Sequence, residues 1–179
     1  MVSALTILEL DEMAARWASY SDLAQALRHR AAEPEAMLRE LFSRITFNIL
    51  VGNTDDHARN HSAFWDGENL RLTPAYDISP MLRTGGEASQ AMIIGDETDH
   101  FRLSQVAGCV ERAHLYQLAQ SEARQIVDYQ LDVIESQFED VCDIAELPAE
   151  PRARLRQVVP HWFALEGYTR SSPSVGSRS

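Results

Sequence analysis

The sequence predicts a mainly helical fold carrying one small β-hairpin, and three observations predict it. Apolar residues recur at three- and four-residue steps along most of the chain. Strand-like alternation is confined to Ser62–Thr73, and a cluster of carboxylates, amides and an imidazole precedes it. In order, Ser21–Arg30 places Leu23, Ala24 and Leu27 on one face behind a Ser-rich start suited to capping. Pro34 suits the first turn of a helix in which Leu38, Leu41, Phe42, Ile45, Ile49 and Leu50 share a face, and Gly52 can end it. Ala63-Phe64-Trp65 and Leu70-Arg71-Leu72 flank Asp66-Gly67-Glu68-Asn69 as a hairpin, closed by Pro74. Ser79–His100 reads as loop with Gly85-Gly86 and a short apolar run, Ala91–Ile94. Helix returns near Ser104, and Ser121 is placed to cap a long helix bearing Ala123, Ile126, Val127, Leu131, Ile134, Phe138 and Val141. Pro148 and Pro151 bracket a loop before a last helix, which Pro160 ends or kinks. Trp17, Trp65, Trp162 and Tyr76 read as core side chains.

Length and composition set limits on function. The 179 residues suit one domain, expected over residues 3–166, with a polar tail at 167–179 that frays. Hydrophobic content of 45% and a mean hydropathy of −0.28 describe an ordinary soluble protein. Apolar runs such as Ile49-Leu50-Val51 are too short to span a bilayer, and the N-terminus lacks the basic start of a signal peptide, so no membrane partner is expected. Cys109 and Cys142 lack C-x-x-C spacing and read as buried thiols in a reducing cytoplasm. A net charge of −11 argues against direct nucleic-acid binding by this chain. All sixteen basic residues are Arg, which excludes every mechanism that needs a lysine from this chain.

The chemistry gathers in Asn53-Thr54-Asp55-Asp56-His57-Ala58-Arg59-Asn60, answered by Tyr76-Asp77-Ile78. Asp55 to Asn60 reproduces the D-x-x-x-x-N spacing of a protein-kinase catalytic loop. In that geometry the Asp accepts the proton of a substrate hydroxyl, and the Asn turns its carbonyl oxygen to magnesium. Asp77, arriving from the hairpin, suits a second magnesium ligand, because magnesium takes oxygen donors and keeps several waters. Other readings compete. An Asp-Asp pair often starts a solvated loop or caps a helix, and Asp56 stands only four residues from Asn60. His57 as a zinc ligand has no second His or Cys at ligand spacing, so a bond from its ring to the loop backbone is favoured. Arg59 is either a surface charge or a cation beside the transferring phosphoryl group. The set also admits a metal-dependent phosphohydrolase. His29, His61, His100, His114 and His161 are scattered and receive no role.

The segment from Phe47 to Asn60, with Leu72-Thr73-Pro74-Ala75-Tyr76-Asp77-Ile78, resembles the C-terminal region of HipA-type serine/threonine-protein kinases, the toxins of HipBA-type toxin–antitoxin modules. The resemblance implies a kinase-like helical C-lobe with the hairpin beside the active site. It implies that Asp55 is the catalytic Asp, that Asn60 and Asp77 hold Mg2+ and through it ATP, and that His57 and Arg59 belong to the catalytic loop. It further implies a protein Ser or Thr substrate in the translation machinery and a HipB-like antitoxin partner. A complete kinase of this type has an N-lobe with an ATP-gripping lysine and a phosphate-binding loop. Only about fifty residues precede the catalytic loop here, with no Lys and no glycine-rich segment. The sequence is therefore read as half of an active site, needing an N-lobe in trans, or as a non-catalytic remnant that binds an antitoxin.

Overall fold

The computed structural model describes residues 1–81 and 86–171, so Leu82–Gly85, including half of the Gly85-Gly86 pair, and the segment 172–179 lie outside it. About half the chain is helical, around one three-stranded antiparallel sheet. The elements are β1 (Val2–Ser3), α1 (Ala4–Ile7), α2 (Tyr20–Arg30), α3 (Pro34–Leu50), β2 (Ser62–Trp65), β3 (Leu70–Leu72), α4 (Val106–Glu111), α5 (Gln120–Ile144) and α6 (Ala149–Val158). Single 3₁₀ turns occur at Ala15–Trp17, Ala113–Tyr116 and Trp162–Leu165.

Helix α3 is the axis of the core. Pro34 occupies its first turn, and all six residues read as its apolar face are buried. Its end is a Schellman motif. The Asn53 N–H donates to the Asn48 carbonyl at 2.8 Å, the Gly52 N–H to that of Ile49 at 3.1 Å, and Gly52 takes φ +76°. That left-handed conformation costs a glycine little and aims the next residues back over the helix end. Packed against α3 are α2, capped by the Ser19 hydroxyl on the Asp22 N–H, and the long α5.

The sheet delivers the ends of the polar cluster. β2 is its middle strand, with Val2 opposite Ala63 on one side and Ala63 opposite Leu72 on the other. Gly67 (φ +108°) forms the hairpin turn, and the Asp66 carboxylate accepts from the Glu68 and Asn69 N–H groups, which hold its pKa below the ordinary carboxylate value. A two-residue strand at the N-terminus carries too little alternation to be read in advance.

Several expectations shift. Ser121 lies inside the first turn of α5, whose start is fixed instead by the Glu122 carboxylate on the Ala119 N–H at 2.9 Å. Pro148 caps α6 and Pro151 sits in its first turn, so the two prolines start a helix where a bracketed loop was expected. Pro160 does follow the end of that helix. The polar segment from Gly167 stays bound through Ser171. Tyr168 donates to Asp128 at 2.8 Å, and Arg170 pairs with Asp132 and Glu135 on α5. Trp17, Trp65 and Trp162 are 62%, 42% and 61% exposed, lying on the surface where core positions were expected. Arg16 and Arg30 stack on Trp17 and Trp65, so cation–π contact partly replaces core packing. Cys109 and Cys142 are free and buried as expected, and burial pushes the Cys109 thiol up to about 12.

Candidate active site

Two neighbouring carboxylates meet opposite fates. The Asp56 side chain is 2% exposed and gathers three donors. The Tyr20 hydroxyl from α2 reaches Oδ2 at 2.6 Å, the Asn48 amide from α3 reaches it at 2.8 Å, and His61 Nε2 lies 2.9 Å from Oδ1. Tyr20 and His61 also meet edge to face at 5.5 Å. A buried carboxylate is tolerable only when its lone pairs are occupied in this way. Burial, and then the adjacent Asp56 charge, push the Tyr20 hydroxyl well above the usual tyrosine pKa, so it remains a donor. Tyr20→Phe is expected to lower stability by about 1.5–3 kcal/mol, the range for a hydrogen bond to a charged group. Urea unfolding checks it; a loss under 0.5 kcal/mol would mean that the hydroxyl is dispensable.

Asp55 stands outside this hub. Its carboxylate is exposed and takes no hydrogen bond or ion pair from the described residues, while its carbonyl accepts from Asn60 Nδ2 at 3.4 Å. Anchoring Asp56 inward turns the preceding side chain to solvent. Asn60 is buried, and its N–H closes a turn onto the His57 carbonyl at 2.8 Å. The ring bond expected of His57 is not made to any described residue. Its Nδ1 is buried and unpaired among the described residues, because the backbone of the turn already satisfies itself. Arg59 is half-exposed and pairs with the exposed Glu12 at 2.5 Å. Exposed pairs are worth about 0–1 kcal/mol, so Glu12 holds Arg59 only weakly.

The hairpin brings the second arm back. Tyr76 donates to the Arg59 carbonyl at 2.5 Å and meets the Ser62 hydroxyl at 2.7 Å, so it bridges loop and strand at the surface where a core position was expected. Asn53 Nδ2 reaches the Asp77 carbonyl at 3.4 Å. Asp77 is exposed, has φ +59°, and its carboxylate makes no bond to the described residues. The two segments are thus stitched twice, with Asp55, Asn60 and Asp77 all carried by the stitched loops. Oxygen donors from one amide and one carboxylate suit magnesium, which leaves its remaining positions to phosphate oxygens and water. Among the described residues no three His, Cys, Asp or Glu side chains gather as a metal site, so the phosphohydrolase reading finds no ligand set there.

Sequence reasoning gave no role to Tyr20, Asn48, Asn53 or His61, although Asn53 opens the polar cluster it singled out. Asn48 had a legible signal, since it is a polar residue three positions from Ile45 on the buried stripe of α3. His61 had none, because its partner is defined only by the loop's turn.

A mainly helical domain with one small three-stranded antiparallel sheet has a kinase-like class of fold. The model of the HipA-like C-terminal domain matches residues 1–149, and the chain belongs to that family. It is 33% identical over 75 residues to the serine/threonine-protein kinase toxin HipA of Shewanella oneidensis, covering 41% of this chain and 17% of that protein. It is 32% identical over 60 residues to Y4mE of Sinorhizobium fredii, whose name assigns it provisionally to the kinases, covering 34% and 14%. A solved complex of HipA, HipB and operator DNA from Shewanella oneidensis contains a chain with the same fold, at a TM-score of 0.70 and 18% identity. That likeness covers 93% of this chain and 43% of the other, so this chain spans less than half of its structural relative. Because the neighbour holds DNA together with HipB, an expectation of no nucleic-acid contact drawn from net charge has no support there. No described helix is long and apolar enough to cross a membrane.

Proposed function

We propose that this chain supplies the catalytic base and the magnesium ligands of a HipA-type serine/threonine-protein kinase, the toxin of a toxin–antitoxin module in the cytoplasm. The observation that carries this reading is the contrast of Asp55 with Asp56. One carboxylate is sunk among three donors, and its neighbour, five residues before Asn60, is exposed and unpaired among the described residues. Asp55 accepts the proton of a protein Ser or Thr hydroxyl as that oxygen attacks the γ-phosphorus of ATP, the bond from that phosphorus to the β,γ-bridging oxygen breaks, and ADP leaves. Asn60 and Asp77 would hold Mg2+, which when bound would offset charge on the phosphate oxygens. Arg59 leaves Glu12 to steady the transferring group, and His57 shapes the loop through its carbonyl. The lysine and phosphate-covering loop come from an N-lobe outside this chain. A HipB-like antitoxin restrains the assembly, and its substrate belongs to the translation machinery.

The metal arm gives the direct test. Magnesium alone is expected to bind poorly and to tighten when nucleotide adds phosphate oxygens. In calorimetric titration with magnesium–ADP, Asp77→Ala should weaken binding by roughly tenfold or more, since even residues behind a metal ligand cost that much. Equal affinity of the two proteins would remove Asp77 from the site.

A further inference from the structure

We infer that Asn53, backed by Asn48 and Asp56, is a positioning residue that holds the Asp77 arm in register with the catalytic loop. The inference rests on reading Asn60 and Asp77 as magnesium ligands, and it names what aligns them. A single chain of hydrogen bonds, buried at the loop end and part-buried at Asp77, runs between the two arms. Asp56 can only accept, so it fixes the Asn48 amide with Nδ2 toward itself at 2.8 Å. That orientation turns Asn48 Oδ1 toward Asn53, whose Nδ2 donates to it at 2.9 Å. The second hydrogen of the same Asn53 nitrogen faces the Asp77 carbonyl at 3.4 Å. Asp56, Asn48 and Asn53 are each no more than 3% exposed, so the two bonds among them are shielded from water, while the last, to the exposed Asp77, is only part-buried.

Two features mark this relay as more than packing. Asn53 fills the position after the glycine of the Schellman motif, where that motif commonly sets an apolar side chain against the helix. Burying two amides there is costly unless each group is matched, and an apolar pair would close the helix end without that demand. Asp77 also holds a left-handed backbone (φ +59°), uncommon outside glycine although Asp adopts it more readily than most residues. The Asn53 bond falls on the carbonyl of that same residue. Without it the arm can relax toward extended backbone and swing its carboxylate away from Asn60. Tyr76, on the Arg59 carbonyl, pins the residue just before it.

The test uses the full chain with Mn2+ and ADP, read by electron paramagnetic resonance and water-proton relaxation, which register weak binding without turnover. Asn53→Ala should weaken Mn2+–ADP binding about tenfold, as loss of support behind a metal ligand does. Asn53→Leu restores an apolar group to the Schellman position and lacks the donor. It leaves Asn48 Oδ1 unpaired just as alanine does, so it should melt no lower than Asn53→Ala and show the same tenfold loss. In an Asp77→Ala background, Asn53→Ala should add less than twofold, because its effect acts through Asp77. Thr46→Val breaks the buried bond to Gln130 on the α5 side of α3 and should leave affinity unchanged. Folded Asn53 variants within twofold of wild type, beside a clear Asp77→Ala loss, would overturn the relay and leave the metal reading standing. A full Asn53 effect that persists without Asp77 would overturn it as well. Asp77→Ala matching wild type, or no binding by wild type at all, would instead overturn the metal reading on which the relay rests.

Discussion

In an assembly that phosphorylates a protein substrate, Asp55→Asn should lower kcat by about 10²–10⁴-fold, the usual contribution of a positioned general base. The substituted amide is nearly isosteric, so ATP affinity should change little and the loss should fall on turnover. The fold should be untouched, because the Asp55 carboxylate is exposed and holds nothing in the described structure. Asp56→Asn offers the opposite signature. An amide in that position confronts three donors with an NH2 group, so stability should fall first and activity only as a consequence. Transfer of labelled γ-phosphate, measured beside thermal melts of both variants, separates the two carboxylates. If Asp55→Asn stays active while Asp56→Asn melts normally and is inactive, the catalytic register is off by one.

The second large effect is the silence of the isolated chain. Phosphoryl transfer needs both ends of the triphosphate held, and this sequence contains no Lys and no glycine-rich cover. Arg can supply charge, yet its planar fork does not reproduce a compact ammonium between two phosphates. Orientation of reacting groups can account for roughly 7–11 kcal/mol of a barrier, so its loss forfeits several orders of magnitude in rate. The purified chain at saturating magnesium-ATP is therefore expected to show no turnover above background. Addition of an N-lobe polypeptide should restore turnover. Turnover near one per second by the chain alone, abolished by Asp55→Asn, would show that this lobe suffices.

What the sequence revealed follows from the range of the forces involved. The buried face of α3, the Gly52 stop and the hairpin turn depend on residues within a few positions of each other, and all were legible. The Asp56 hub joins residues 36 positions apart, and no periodicity reports such a contact. The carboxylate spacing still singled out Asp55, because register along one loop is a local property. Indole and phenol rings misled for a different reason. Apolar area predicts burial on average, but the rings of Trp17, Trp65 and Tyr76 end on the surface, where arginines or backbone carbonyls engage them. The start of α5 misled because Glu122, three residues inside the helix, closes it from a site that alanine occupies.

The outward placement of all three tryptophans also governs how this protein reports on itself by light. Their indoles already sit in water, so native emission should be red-shifted, and denaturation should change its colour only slightly. Fluorescence is a poor gauge of folding for this chain, and circular dichroism of its helices is the better one. The same placement makes the emission a sensitive reporter of company. A partner that covers Trp17, Trp65 or Trp162 removes water from an indole and moves the spectrum to the blue without any change in fold.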